Sequence, residues 1–136
     1  MNLEAAIHKI PFSELFPLLT NHPDLANTRN RSRIDGKKFL HTTLNTSRIF
    51  HVDLELLLSK SRGEQAVARA RMAAMASLYQ LGLTLEVVGS FFGRHYTAVC
   101  HAKRELPTLA EKYPDFADNL QELRNELEST FGPLGV

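Results

Sequence analysis

A chain of 136 residues, 43% of them hydrophobic, supports one domain with a short extension and is too short for a large enzyme platform such as a TIM barrel. Its single cysteine, Cys100, excludes an internal disulfide and fits a reducing cytosol; no apolar run approaches the roughly 20 residues of a membrane span, and Met1-Asn2-Leu3-Glu4 opens no signal-peptide pattern. The net charge of +1 conceals a split: residues 61–104 hold six basic and two acidic residues and residues 105–136 two basic and seven acidic, so a basic middle suited to a polyanion precedes an acidic end suited to solvent or a partner.

Apolar spacing is helical throughout, and no alternating Val/Ile/Thr run marks a strand. Two short helices are predicted near Leu3–Ile10 and Ser13–Thr20, followed by a polar linker through Asn21-His22-Pro23-Asp24 and residues 27–32. Arg29, Arg31 and Arg33 alternate at steps of two, with Lys37 and Lys38 following, and read as a solvated linker or an arm on the DNA backbone. A helix is expected over about 35–48, and a short leucine-rich one through Leu58, capped by Asp53. Over 65–81, Val67, Ala70, Ala74, Leu78 and Leu81 form one apolar stripe and Met72, Met75 and Tyr79 a second, which predicts a buried central helix ended by Gly82 in the left-handed conformation.

The informative stretch is 84–106. Thr84 caps a short helix whose apolar face is Leu85, Val88 and Phe92. Gly89 sits where glycine costs stability unless a second helix must come close, and Gly93 breaks the helix. A second helix starts near residues 94–96 and is expected to end at Leu106, because Pro107 disfavours helix at the residue before it. Two short helices about such a turn form a helix-turn-helix, whose second helix enters the major groove. At 100° per residue, Val99, Ala102 and Leu106 point inward, while Arg94, Thr97, His101 and Arg104 share roughly 80° of arc on the other side. That side carries no acid and mixes groups suited to phosphates and base edges. A last helix over about 115–130 carries an apolar stripe at Phe116, Leu120, Leu123, Leu127 and Phe131, with Glu122, Glu126 and Glu128 on a wet face.

Ser59-Lys60-Ser61-Arg62, then Ala68-Arg69-Ala70-Arg71, then the run from Thr84-Leu85 through Gly89, Phe92-Gly93-Arg94 and Thr97 to Val99-Cys100-His101-Ala102 keep the order and spacing of a known pattern. From about Ile34 to Leu127 the chain resembles the C-terminal DNA-binding domain of the bacterial chromosomal replication initiator DnaA. The resemblance implies an all-α helical bundle with a helix-turn-helix, similar to the Trp repressor. It also implies binding of double-stranded DNA through the major groove, with a basic loop in the adjacent minor groove. It assigns Arg62 to the minor groove and Arg71 to phosphate, places Arg69 in the same basic step, puts Arg94 and Thr97 at the recognition helix with His95, Tyr96 and Ala98 at family positions there, and sets His101 near the backbone contacts; Arg104 joins the candidates from the helix projection alone.

The departures are specific. One glycine, Gly93, stands where the family has two, and one extra residue separates Arg62 from Arg71. The family's base-reading Asp-His pair is His95-Tyr96 here, and its second Thr is Ala98. Each base contact forgone is worth about 1–3 kcal/mol of discrimination. The expected division is an extension over 1–33 and a DNA-binding domain over 34–136. With no phosphate loop, the resemblance implies a stand-alone relative lacking the initiator's ATPase, in the cytoplasm with the nucleoid, regulating replication or transcription. No catalytic constellation, cofactor motif or metal spacing stands out; Cys100-His101 with His95 matches no zinc pattern. The alternative is an adaptor that holds a replication or transcription protein through residues 1–33 and the acidic last helix.

Overall fold

The computed structural model describes residues 29–60 and 63–135, and among them the only regular structure is helical. Six helices follow one another: α1 (Arg29–Phe50), α2 (Leu54–Leu58), α3 (Gln65–Gln80), α4 (Leu85–Phe91), α5 (Tyr96–Lys112) and α6 (Pro114–Phe131). The two helices expected before residue 21 lie outside the described residues.

Helix α3 is the axis of the bundle and touches α1, α2, α4 and α5, while α6 closes the far side against α1 and α5. It can occupy that place because Ala70, Ala73, Ala74 and Ala76 are buried and let neighbouring helices approach closely. The expected inward stripe is buried at Val67, Ala70, Ala74 and Leu78, and Met75 lies in the core beside it. Gly82, at φ +101°, ends α3: its N–H donates to Tyr79 and that of Leu83 to Leu78, the two bonds of a Schellman cap. The Lys38 ammonium donates to the Leu81 carbonyl beside it, which ties α1 to that end.

Helix α1 starts at Arg29, so residues 29–32, expected as linker, are helical. No proline interrupts this stretch, and burial of Phe39, Leu44 and Ile49 anchors the helix from within. Its buried polar residues are largely satisfied locally: Thr43 donates to the Phe39 carbonyl, Thr46 to that of Thr42 and Asn45 to that of His41. The helix ends on His51 at φ 55°, a left-handed residue without the usual glycine, where the Val52 N–H donates back to Ser47. Asp53 occupies the N-cap of α2 but makes no side-chain capping bond.

Helix α5 runs through Pro107 to Lys112, beyond the end expected at Leu106. Proline costs about 3 kcal/mol inside a helix. Leu106 is buried, however, and Leu109 and Ala110 in the following turn lie against the core, so tertiary packing outweighs the local preference. The last helix buries Phe116, Leu120, Leu123 and Leu127 against its own bundle, with Phe131 half-buried, and turns its acids outward, where Glu122 and Glu126 pair with Arg48. Among the described residues no helix is long and apolar enough to cross a membrane.

Candidate nucleic-acid interface

The interface grows from the turn between α4 and α5. Thr84 caps α4, its hydroxyl accepting from the Val87 N–H at 3.2 Å. At the other end the Gly93 N–H donates to Ser90 and the Arg94 N–H to Gly89 at 2.8 Å, a second Schellman cap with Gly93 at φ +65°. Gly89 makes the crossing possible: a Cβ there would stand 2.7 Å from the Arg94 carbonyl oxygen and 3.2 Å from the His95 carbonyl carbon and the Tyr96 nitrogen. Beneath the turn, Phe91 stacks on Phe39 at 4.5 Å between centroids and Phe92 meets the same ring edge-on at 5.5 Å. Both phenylalanines are fully buried.

His95 caps α5. Its Nδ1 accepts from the Thr97 N–H at 3.4 Å and lies 3.1 Å from the Thr97 hydroxyl. Val99, Ala102 and Leu106 are buried, as the 100° projection requires, and the opposite side is open: His95, Tyr96, Thr97, His101 and Arg104 are exposed and Ala98 is half-buried. The His95 and Tyr96 rings lie 4.3 Å apart. There is no acid in the first turn of α5, and the helix dipole adds positive potential at this end. Neither Lys60 nor Arg104 makes an ion pair among the described residues.

Three of the expected contact arginines have partners within the protein. Arg71, assigned to phosphate by the resemblance, is buried: its Nε donates to the Leu57 carbonyl at 2.9 Å and its Nη2 to that of Leu56 at 2.8 Å. It thereby serves the carbonyls at the end of α2, of which that of Leu56 also accepts from the Ser59 N–H at 3.2 Å. Burial first, and the neighbouring charge of Arg94 second, push its pKa down to about 10, so it is still a cation at neutral pH. Arg94 is half-buried, with its pKa lowered by burial, and its guanidinium donates to the Phe92, Ser59 and Lys60 carbonyls at 2.8, 3.2 and 3.3 Å. Arg69 lies 4.0 Å above the Tyr113 ring, at the far end of α5 and about 25 Å along its axis from Tyr96. The structure therefore gathers His95, Tyr96, Thr97, Ala98, His101 and Arg104, holds Arg94 behind them, and leaves Arg69 apart. Arg62 lies outside the described residues.

Lys60 joins this group without having been marked by residue spacing. It is exposed, and its Cγ and Cε lie 3.9 Å from where a Cβ on Gly93 would stand, so its stem runs beside the turn. The motif at 59–62 points to this segment, but nothing in the spacing places it against residue 93.

An exposed polar helix, set across a short capped one by a glycine that admits its backbone, is the geometry of a DNA-reading helix-turn-helix. Residues 44–105 match the family of the bacterial dnaA protein helix-turn-helix. Over these residues the chain is similar to the DnaA-type DNA-binding helix-turn-helix. No curated protein matches the chain significantly. Within this unit, Phe92 stands at φ −93°, which any residue adopts, and only Gly93 in the turn needs the left-handed region. Among the described residues no group of three His, Cys, Asp or Glu side chains could hold a metal ion.

Proposed function

We propose that this protein binds duplex DNA sequence-specifically and regulates replication or transcription, with α5 in the major groove and the residues around Lys60 against the neighbouring backbone. The observation that carries this reading is the open face of α5, with no acid in its first turn, on a DnaA-type helix-turn-helix. His95, Tyr96, Thr97 and Ala98 meet base edges, His101 and Arg104 flank the phosphates, and the resemblance gives Arg62 the minor groove. The DNA-binding unit extends over 34–136, and the protein works in the cytoplasm on the nucleoid. The preferred sequence differs from the usual initiator box, because His95-Tyr96 replaces a pair whose acid would accept from a base amino group. A capping imidazole accepts at Nδ1 and so presents its Nε2–H outward, a donor in place of an acceptor.

Selection of bound duplexes from a random library tests this directly. The expected outcome is an enriched motif distinct from the initiator box, bound with an affinity that falls with salt at a log–log slope of about −0.9 per phosphate contacted. Recovery of the initiator box as the top motif refutes the altered preference. No salt-sensitive binding to any duplex refutes the function itself.

A further inference from the structure

We propose that Arg94 and Arg71 are positioning residues: together they clamp the segment after α2 against the helix-turn-helix turn, so that Lys60 and the first turn of α5 meet a duplex as one rigid surface. This rests on the DNA-binding reading above. The bonds converge on one short run of backbone. Of the five carbonyls from Leu56 to Lys60, four accept from these two guanidiniums: Leu56 and Leu57 from Arg71, Ser59 and Lys60 from Arg94. Arg94 also donates to the Phe92 carbonyl at 2.8 Å, so a single side chain joins the last residue before Gly93 to a segment 34 and 35 positions before Arg94 itself. The Ser59 hydroxyl adds a third bond to the Leu56 carbonyl from within the segment itself.

Only a forked donor can do this. Bridging carbonyls of separate chain segments needs several N–H groups in fixed planar relation, which arginine has and lysine lacks. Two guanidiniums held near one another carry a repulsive cost, and the pKa of Arg71 is lowered first by burial and second by the charge of Arg94. The carbonyl dipoles at the end of α2 offset that cost. The exposed stem of Lys60 lies beside Gly93, two residues before His95 in the chain. Without the clamp, the segment carrying Lys60 would be held less firmly to the turn, and each phosphate that Lys60 met would cost the ordering of that loop.

The test uses the full chain, a short random-sequence DNA duplex as probe, and four proteins: wild type, Arg94→Lys, Lys60→Ala and the double variant. Arg94→Lys keeps the charge and loses the fork. It is expected to unfold cooperatively like wild type, to bind about tenfold more weakly, and to have a log–log salt slope smaller in magnitude by about 0.9, because Lys60 then leaves one phosphate un-neutralised. Adding Lys60→Ala to Arg94→Lys is expected to change little, although Lys60→Ala alone weakens binding, because both changes act on the same phosphate. Wild-type affinity and slope in Arg94→Lys would overturn the clamp. Additive effects in the double variant would overturn it too, as would loss of the cooperative unfolding transition in Arg94→Lys, which would make the arginine a folding residue. Failure of wild type to bind the duplex would instead refute the functional reading on which the clamp rests.

Discussion

Replacing Gly89 by alanine isolates the contact that sets the two helices of the DNA-reading unit across one another. The added methyl would stand 2.7 Å from the Arg94 carbonyl oxygen, with the His95 carbonyl carbon and the Tyr96 nitrogen each at 3.2 Å. All three neighbours are backbone, so no flexible side chain can swing away, and the turn must retreat by about 0.7 Å to reach ordinary contact distance. The retreat pulls on the Arg94 N–H bond to the Gly89 carbonyl, which at 2.8 Å closes the cap. Overpacking of this kind costs about 1–3 kcal/mol, and alanine returns about 1 kcal/mol of helix propensity, leaving a net loss of about 1 kcal/mol and a Tm lower by about 3 °C. DNA affinity should fall further than stability, by about tenfold, because the displaced atoms belong to the residues that open the reading face. Gly82→Ala is the control. It also strains a left-handed glycine, at φ +101°, but its Cβ meets nothing within 4 Å, so it should cost about 1–2 kcal/mol and leave duplex affinity unchanged. Thermal unfolding and fluorescence anisotropy on the same samples decide the matter. A Gly89→Ala protein that melts higher than wild type and binds equally well would refute the close approach as the reason for glycine at this position.

Two further perturbations probe the support beneath the site. Phe92→Ala removes a fully buried ring packed edge-on against Phe39, and a loss of about 3–5 kcal/mol by chemical denaturation is expected; a loss under about 1 kcal/mol would mean that the turn is not anchored from below. His41 has its pKa lowered from 6.5, mainly by burial and against the raising influence of Glu126, while its ring lies edge-on to Phe131 and its Nε2 is 3.0 Å from the Thr130 hydroxyl. The unfolded chain therefore takes up this proton first as pH falls, so the stability tied to neutral His41 is present above about pH 6.5 and drains away as pH drops through the lower folded value. An NMR titration should place its midpoint below 6.5, and His41→Gln should flatten the Tm decline between about pH 7 and 5; a midpoint at or above 6.5 would contradict burial as the dominant cause.

The helices were legible where burial alone decides them. The stripe of α3, the inward face of α5 and the four-three-four spacing of α6 all lie against the core, because apolar period and helix geometry are the same fact seen twice. Gly82 and Gly93 were legible as helix stops because a left-handed residue after a helix is so often glycine. His51 takes the same conformation with no such mark, and its position comes from the closing bond of Val52 to Ser47. The continuation of α5 past Pro107 was not legible, since a local rule cannot weigh the core that Leu106 and Leu109 join. Nor were the roles of Arg71 and Arg94. A sequence records that a side chain is cationic but not whether a backbone carbonyl will be closer to it than a phosphate, and here the carbonyls of residues 56, 57, 59 and 60 are within 3.3 Å.

That distinction locates where this domain is free to differ from the DnaA pattern it resembles. Gly89 and Gly93 are fixed by contact and by backbone conformation, and Arg94 by three carbonyls. Phe92, just before Gly93, has a negative φ that any residue adopts, and its ring joins the core under the turn. The turn is then held from below by Phe91 and Phe92 and from the side by Arg94, and it depends little on what stands at the exposed start of α5. His95 and Tyr96 are exposed, and beyond the cap bonds of His95 to Thr97 they support little in the fold. Replacing the family's Asp-His pair there costs the structure almost nothing and changes the donor and acceptor groups presented outward, which is where a change of DNA preference without a change of architecture has to be made.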